Sequence, residues 1–333
     1  MMDLWPIIEK ATAEVVINKP GEVLLEKNGG WEARQLPNLN LQRLLAIART
    51  IASASKQAID EKTPVLSASL DTGERVQVVI PPACAEGTVC MVFRKPSVAD
   101  IPFEVYGQSG YYEQTRLSGG LTPAALENPA LLPHERELSK LFLAGKIEDF
   151  LRECIHSRQN IVVSGATGSG KTTFMKSLAN LIPWDERLVT IEDARELLLP
   201  NHANKVHLFY SRGEQGISTA TAKDLLEACL RLYPSRILLA ELRGEEAWYY
   251  VRNVMSGHPG SITSMHASDE LTVFDQLTLL IKESAAGATV SREDLKSMLF
   301  GAIDVTLQIG KTKTGRKCTG IYYNPLRKRG LNG

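Results

Sequence analysis

Residues 165–172 have the composition and spacing of a phosphate-binding loop, G-x-x-x-x-G-K-S/T. In such a loop, backbone N–H groups at the start of a helix surround a phosphate group. The lysine reaches the β- and γ-phosphates, and the hydroxyl group that follows it binds Mg²⁺. The sequence therefore predicts a nucleotide site with magnesium, formed by Gly165, Ala166, Thr167, Gly168, Ser169, Gly170, Lys171 and Thr172, with Thr173 directly after them.

The segments on either side of this loop have the patterns that it requires. Residues 160–164 form a short apolar, β-branched run, which predicts a strand. After the loop, apolar side chains recur at helical spacing at Phe174, Leu178, Leu181 and Ile182. A strand, a glycine loop and a helix in this order favour a functional phosphate loop over a glycine-rich turn without a ligand.

Two further predicted strands end in carboxylates. Residues 187–191 are followed by Glu192 and Asp193, and residues 236–240 are followed by Glu241. Open parallel sheets bind ligands at the carboxyl ends of their strands, so we expect these side chains near the loop. Glu241 and Glu192 are both candidates to orient the attacking water in phosphoryl transfer, and Glu241 is favoured because its apolar strand is typical of a nucleotide hydrolase.

The two strand ends leave open questions about metal binding and capping. The motif at residues 236–241, an apolar strand that ends in a glutamate, more commonly has aspartate directly before the glutamate. This chain has Ala240 at that position. Mg²⁺ would therefore depend on Thr172, water and Glu241. For Asp193, the alternative is the N-cap of a following helix, where acidic side chains are favoured.

Two histidines flank a predicted strand at residues 261–265, with His258 before it and His266 after it. A zinc site would need more ligands at suitable spacing, and the sequence has none. One imidazole is expected to hydrogen-bond to the γ-phosphate or to Glu241, and His266 is included among the catalytic candidates. A structural role stays open for either histidine.

The length and the pattern along the chain predict two domains, since 333 residues are long for one core. Residues 1–94 alternate hairpins with one helix, which predicts a small α+β domain. Residues 95–135 are rich in proline and glycine and are predicted to be a linker. Residues 136–333 alternate strands and helices, as in an α/β nucleotide-binding domain.

The composition is typical of a cytosolic globular protein. No apolar run approaches the roughly 20 residues of a membrane-spanning helix, and the first residues lack the pattern of a signal peptide. The five cysteines are odd in number and lack metal-site spacing, so they are expected to be reduced thiols. The formal net charge of zero argues against broad electrostatic attraction to nucleic acid.

Four motifs together resemble those of the VirB11 family of type IV secretion ATPases. Their order and spacing match the family's Walker A motif, Asp box, Walker B motif and His box. Residues 73–82 and 93–97 also resemble the family's amino-terminal domain. The four motifs are residues 165–173, 191–193, 239–243 and 257–266.

This resemblance implies a RecA-like P-loop ATPase core preceded by a smaller α+β domain, with ATP and Mg²⁺ as ligands. It implies a ring, most often of six copies, that powers the assembly of a type IV secretion system or transfer through it. Implied partners are other secretion-system proteins, including the channel and coupling ATPases, at the cytoplasmic face of the inner membrane. The family binds nucleotide between its two domains, which makes Arg75 a candidate for phosphate binding and Arg94 a candidate catalytic residue that stabilises the charge of the transition state.

Three alternatives remain open from the sequence. Type II secretion and type IV pilus ATPases share the four boxes, although the four-cysteine zinc element frequent in type II enzymes is absent. A nucleic-acid translocase could use the same core, but the neutral chain lacks an aromatic stacking cluster beside a basic stripe, and no sequence-specific nucleic-acid binding is expected. A scaffold that binds nucleotide without hydrolysis is the third.

Overall fold

The computed structural model describes residues 4–10, 14–27, 30–95, 100–210 and 220–331. The chain divides into two compact units, each with its own sheet. The first unit comprises residues 1–98, 193–196 and 209–221, and the second comprises residues 99–192, 197–208 and 222–333.

The first unit contains a six-stranded antiparallel sheet with one long helix. Its elements are α1 (Trp5–Lys10), β1 (Glu14–Ile17), β2 (Glu22–Lys27), β3 (Gly30–Gln35), α2 (Leu41–Ala54), β4 (Val65–Ser69), β5 (Arg75–Val79) and β6 (Cys90–Arg94). The strand order is β3-β2-β1-β6-β5-β4. The predicted hairpins β1–β2 and β4–β5 are both present, so these predictions are confirmed.

Alternating apolar residues explain why this unit folds as it does. Val15 and Ile17 of β1 are buried while their neighbours are less so, as expected for a sheet with one face in a core. The predicted helix is α2, which buries one apolar stripe in the same core. Asn40 caps the start of α2, because its side chain accepts a 3.0 Å hydrogen bond from the Arg43 N–H.

The second unit is built on an eight-stranded sheet in the order β10-β9-β11-β12-β8-β13-β14-β7. Its strands are β7 (Arg116–Ser118), β8 (Ile161–Gly165), β9 (Leu188–Glu192), β10 (Lys205–Phe209), β11 (Arg236–Leu242), β12 (Ile262–Met265), β13 (Val305–Thr312) and β14 (Gly315–Tyr323). Its helices are α3 (Phe103–Gln108), α4 (Pro133–Leu143), α5 (Ile147–His156), α6 (Lys171–Ala179), α7 (Ala222–Cys229), α8 (Glu246–Met255), α9 (Thr272–Glu283), α10 (Arg292–Ala302) and α11 (Pro325–Lys328), with a 3₁₀ helix at Pro123–Glu127.

Five central strands of this sheet, β9, β11, β12, β8 and β13, run parallel. Four of them correspond to the strands predicted at residues 160–164, 187–191, 236–240 and 261–265, so the predicted α/β core is confirmed. Met265 lies beside Ser164, and Leu239 lies beside Ile191. This register brings the carboxyl ends of neighbouring strands to one edge of the sheet, which is where an α/β fold binds its ligand.

The segment predicted as a linker contributes to the second unit. It contains α3, β7 and the 3₁₀ helix, and β7 extends the sheet beside β14. Glu270 is buried and accepts hydrogen bonds from the side chains of Arg116 and Ser118, which fastens β7 to the unit. Tyr106 packs edge-on against Phe174 of α6, with ring centroids 4.9 Å apart.

All five cysteines are free thiols. Within the described residues, no helix is long and apolar enough to cross a membrane. The same residues contain no group of three or more histidine, cysteine or acidic side chains able to hold a metal ion.

A buried ion pair holds the start of β11. The guanidinium of Arg236 is fully buried and donates to both carboxylate oxygens of Glu186, at 2.9 and 2.8 Å. It also donates to the Ile155 carbonyl at 2.8 Å, which joins β11 to α5. Arg158 forms a second ion pair with Glu186 at 3.2 Å.

Replacing Glu186 with glutamine should therefore destabilise the second unit, because it leaves the buried charge of Arg236 without its counter-ion. We expect a loss of roughly 3–5 kcal/mol in the free energy of unfolding. Urea unfolding followed by circular dichroism measures this change. Glu137→Gln is the matched control, since its ion pair with Lys140 is exposed; equal midpoints for the two variants would contradict the assignment.

Candidate active site

The loop between β8 and α6 has the conformation that a phosphate cradle needs. Gly168 and Gly170 lie in the left-handed region, with φ of +72° and +98°, and Gly170 caps α6. Gly165 has φ of +152°, and a Cβ there would overlap the Ile309 carbonyl oxygen of the neighbouring strand. Backbone sterics thus explain the glycines, and the N–H groups at the start of α6 are directed toward the loop.

The ammonium group of Lys171 lies inside this loop. Lys171 is buried, and its Nζ donates to the Gly165 carbonyl at 2.9 Å and to the Ala166 carbonyl at 3.2 Å. His266 Nδ1 lies 3.4 Å from the same Nζ. A lysine ammonium is a compact charge on a flexible stem, so it can exchange carbonyl oxygens for phosphate oxygens with a small movement.

The imidazole of His266 connects the loop to Glu241. Its Nδ1 lies 3.0 Å from the Gly165 carbonyl oxygen, and its Nε2 lies 3.0 Å from Glu241 Oε1. When protonated, the ring donates from Nδ1 to the Gly165 carbonyl and lies at ion-pair distance from the carboxylate. Glu241 Oε1 has no hydrogen-bond partner within the described residues, so its contact with the imidazole is one of proximity and charge rather than a hydrogen bond.

Glu241 is held from two sides at the end of β11. Its side chain is 14% exposed, with His266 at Oε1 and Arg243 at Oε2. Arg243 donates from Nε at 2.7 Å and from Nη2 to that second oxygen. No role for Arg243 was predicted from the sequence, although it is a basic residue two positions after a carboxylate at a strand end.

Glu192 has a different environment from Glu241. It is fully buried, and its two oxygens accept from the Thr190 hydroxyl at 2.7 Å and the Leu197 N–H at 2.8 Å. His207 Nδ1 lies 3.3 Å from the oxygen that Thr190 contacts. These contacts direct Glu192 to its own strand and the following segment, which favours Glu241 for orienting a water.

The remaining acidic and basic candidates lie in the first unit. Residues 193–204 contain no helix, so the alternative of a helix N-cap at Asp193 is wrong. The chain instead enters an irregular segment, and Arg75 forms ion pairs with Asp193 at 2.8 Å and with Glu196 at 3.0 Å. Arg94 pairs across the sheet with Glu14 at 2.8 Å. The role of these two arginines at the phosphates stays a prediction.

The structure places the two histidines, whose roles the sequence left open, at opposite edges of the sheet. His258 precedes β12, and His266 follows it. Since β12 runs parallel to β8, the first lies at the amino-terminal edge of the sheet and only the second lies at the loop. His266 thus belongs to the candidate site, and His258 does not.

Threonine and glutamate supply the oxygen ligands that Mg²⁺ prefers. Thr172 lies in the first turn of α6, directly after the loop lysine, and Glu241 ends β11. The donor chemistry of these residues fits a magnesium ion that keeps several water ligands.

A further basic group beside the loop was missed because β14 was not predicted. Arg316 at the start of β14 donates from Nε to the Gly168 carbonyl oxygen at 3.2 Å.

Tyr106 lies in the same region, and its pKa is raised to about 12 because burial outweighs the hydrogen bond to Ser177 and the nearby charge of Arg316. Its hydroxyl group therefore stays neutral at ordinary pH.

Comparison with known proteins gives relatives over nearly the whole chain. The family model described as "Type II/IV secretion system protein" matches residues 135–303. The type IV secretion system protein VirB11 of Bartonella henselae is 42% identical over 323 residues, covering 96% of this chain and 90% of that protein. VirB11 of Brucella suis is 42% identical over 325 residues, covering 96% and 87%.

Solved structures of related proteins are also similar to this chain. The crystal structure of the Brucella suis VirB11 ATPase in complex with sulphate is 40% identical and covers 99% of this chain and 98% of that chain, with a TM-score of 0.58. The pilus retraction motor PilT with bound ADP is 17% identical, covers 98% and 85%, and also has a TM-score of 0.58, which shows a shared fold. The chain belongs to the VirB11 family of type IV secretion system ATPases.

Proposed function

We propose that this chain hydrolyses ATP at the 165–172 loop, with Lys171 and Thr172 positioning the phosphates and Glu241 orienting the attacking water. One observation carries the proposal. Lys171 and His266 meet at the Gly165 carbonyl, and the other imidazole nitrogen lies 3.0 Å from Glu241, at the edge of the sheet where ligands bind. The similarity to VirB11 ATPases supports ATP as the nucleotide.

Phosphate binding follows from groups that the loop already presents. The N–H groups at the start of α6 carry partial positive charge and favour an anion. The Lys171 ammonium exchanges the carbonyls of Gly165 and Ala166 for β- and γ-phosphate oxygens. Because the N–H groups are fixed before the ligand arrives and Lys171 moves only a short way, these donors stabilise the charge of the transition state with little reorganisation.

Water activation is assigned to Glu241. Its carboxylate accepts a proton from the water as the water oxygen bonds to the γ-phosphorus and the bond to the ADP oxygen breaks. Arg243 holds the carboxylate in place through hydrogen bonds to Oε2, and the His266 imidazole lies 3.0 Å from Oε1. Mg²⁺, when bound, would be held by Thr172 and Glu241 and would neutralise charge on the β- and γ-phosphates.

We further propose that six copies form a ring associated with the cytoplasmic face of the inner membrane. In this proposal, hydrolysis powers the assembly of a type IV secretion system or substrate transfer through it, in contact with the channel and coupling ATPases. Family membership supports the ring and its setting. Arg75 and Arg94 are proposed phosphate contacts on the same basis.

Glu241→Gln is expected to bind ATP normally and to lower turnover at least about tenfold, because it keeps the shape and removes the proton acceptor. Binding of a fluorescent ATP analogue and phosphate release measure the two effects. Glu192→Gln is the matched variant, since it makes the same chemical change at the neighbouring strand end. It should retain more turnover than Glu241→Gln.

If Glu192→Gln lost more turnover than Glu241→Gln, the roles of the two glutamates would have to be exchanged. Wild-type turnover in both would remove the proposed water activation. Nucleotide binding by the wild-type chain without any phosphate release would instead support the scaffold alternative.

The wild-type chain is expected to have the mass of a closed ring when an ATP analogue is present, because a ring motor acts through contacts between neighbouring subunits. Light scattering at micromolar concentration, with and without the analogue, measures the mass. A strict monomer under both conditions would contradict the ring mechanism.

A further inference from the structure

The hairpin formed by β13 and β14 passes directly beside the phosphate loop. Ile309 of β13 lies next to Gly165, where β8 ends and the loop begins. The hairpin continues beyond this point and turns back at residues 313–314. Lys311 and Arg316 are directly opposite each other on its two strands. The antiparallel pairing therefore brings two cationic side chains to the level of the loop.

Both side chains approach the glycines of the loop. Arg316 Nε donates to the Gly168 carbonyl oxygen at 3.2 Å. Its Cδ lies 3.1 Å from where a Cβ on Gly170 would be, and the Nζ of Lys311 lies 3.9 Å from where a Cβ on Gly168 would be. The two cations are thus on the hairpin side of the loop, whereas Lys171 lies inside it against Gly165.

The electrostatics of this pair indicate an anionic ligand. Like charges directly opposite each other destabilise an antiparallel pair. In the part of the chain that the structure describes, neither Lys311 nor Arg316 has a carboxylate within ion-pair distance, and both are exposed. A polyphosphate in the loop would relieve the repulsion, since it would bring several negative charges beside the two cations.

We propose that Arg316, assisted by Lys311, is a second phosphate-binding element for the nucleotide held by the loop. This inference rests on the proposed function and adds a binding residue to the same site. Arg316 lies at Gly168 and Gly170, in the part of the loop that surrounds the β-phosphate. The β-phosphate is present in both ATP and ADP, so Arg316 stabilises substrate and product alike. Glu241 and His266 act at the Gly165 end of the loop.

Uniform binding of this kind has a kinetic signature. A residue that stabilises the bound substrate and the transition state equally changes KM and leaves kcat unchanged. We expect Arg316→Ala to weaken ADP binding and raise the KM for ATP about 5- to 20-fold, as for the loss of one exposed charge-assisted contact, with kcat within about twofold of wild type. Fluorescent ADP titration and phosphate release measure these quantities on the full chain.

Three further variants and one competing ligand separate the charge of Arg316 from its support of the loop. Arg316→Lys keeps the charge and should recover part of the affinity, whereas Arg316→Gln keeps an N–H donor for Gly168 and should not. Lys313→Ala removes a charge at the exposed hairpin turn and should bind ADP as wild type does. Inorganic pyrophosphate should compete with ADP less strongly in Arg316→Ala than in wild type, because the contact is to phosphate rather than to base or sugar.

Several outcomes would overturn the inference. These are wild-type ADP affinity in Arg316→Ala, equal losses in Arg316→Ala and Lys313→Ala, full recovery with Arg316→Gln, or unchanged competition by pyrophosphate. Thermal unfolding that matches wild type verifies that the variants are folded. A wild-type chain that binds ADP but releases no phosphate would refute the proposed hydrolysis and leave the ADP comparison valid. A wild-type chain without nucleotide affinity would refute both.

Discussion

The carbonyl oxygen of Gly165 receives both the ammonium of Lys171, at 2.9 Å, and the imidazole of His266, at 3.0 Å. The other imidazole nitrogen lies 3.0 Å from Glu241. This connected set joins the phosphate loop to the carboxylate that ends β11. The loop lysine and the imidazole beside the proposed base therefore contact the same backbone atom.

The fold maintains this arrangement through strand register and backbone sterics. Met265 lies beside Ser164, so His266 follows its strand at the level where Gly165 ends the neighbouring one. A side chain at Gly165 would overlap the Ile309 carbonyl of β13. The same close approach brings the β13–β14 hairpin, and with it Arg316, against the other end of the loop. One tightly packed edge of the sheet thus supplies both sides of the proposed nucleotide site.

The parts of this arrangement that the sequence could predict are those with local patterns. The loop, its flanking strand and helix, and the carboxylates at strand ends follow from short-range spacing, as does the Asn40 cap. The pairing of Arg94 with Glu14 joins residues 80 positions apart, and no local pattern reports it. Strand β14 contains Gly315 and Gly320 among mixed polar residues, so its alternation was weak and Arg316 was missed. Burial distinguishes Glu192 from Glu241, and burial depends on tertiary packing.

ATP turnover by Lys171→Ala is the most direct test of the proposed site, because this substitution removes the cation proposed to bind the phosphates. Lys140→Ala, at an exposed position of α4, is the control. We expect phosphate release to fall at least about 100-fold in Lys171→Ala, as for loss of a preorganised charge-stabilising donor. Its circular dichroism should be unchanged, and the control should have wild-type turnover. Turnover near the wild-type rate in a folded Lys171→Ala chain would contradict the proposed site.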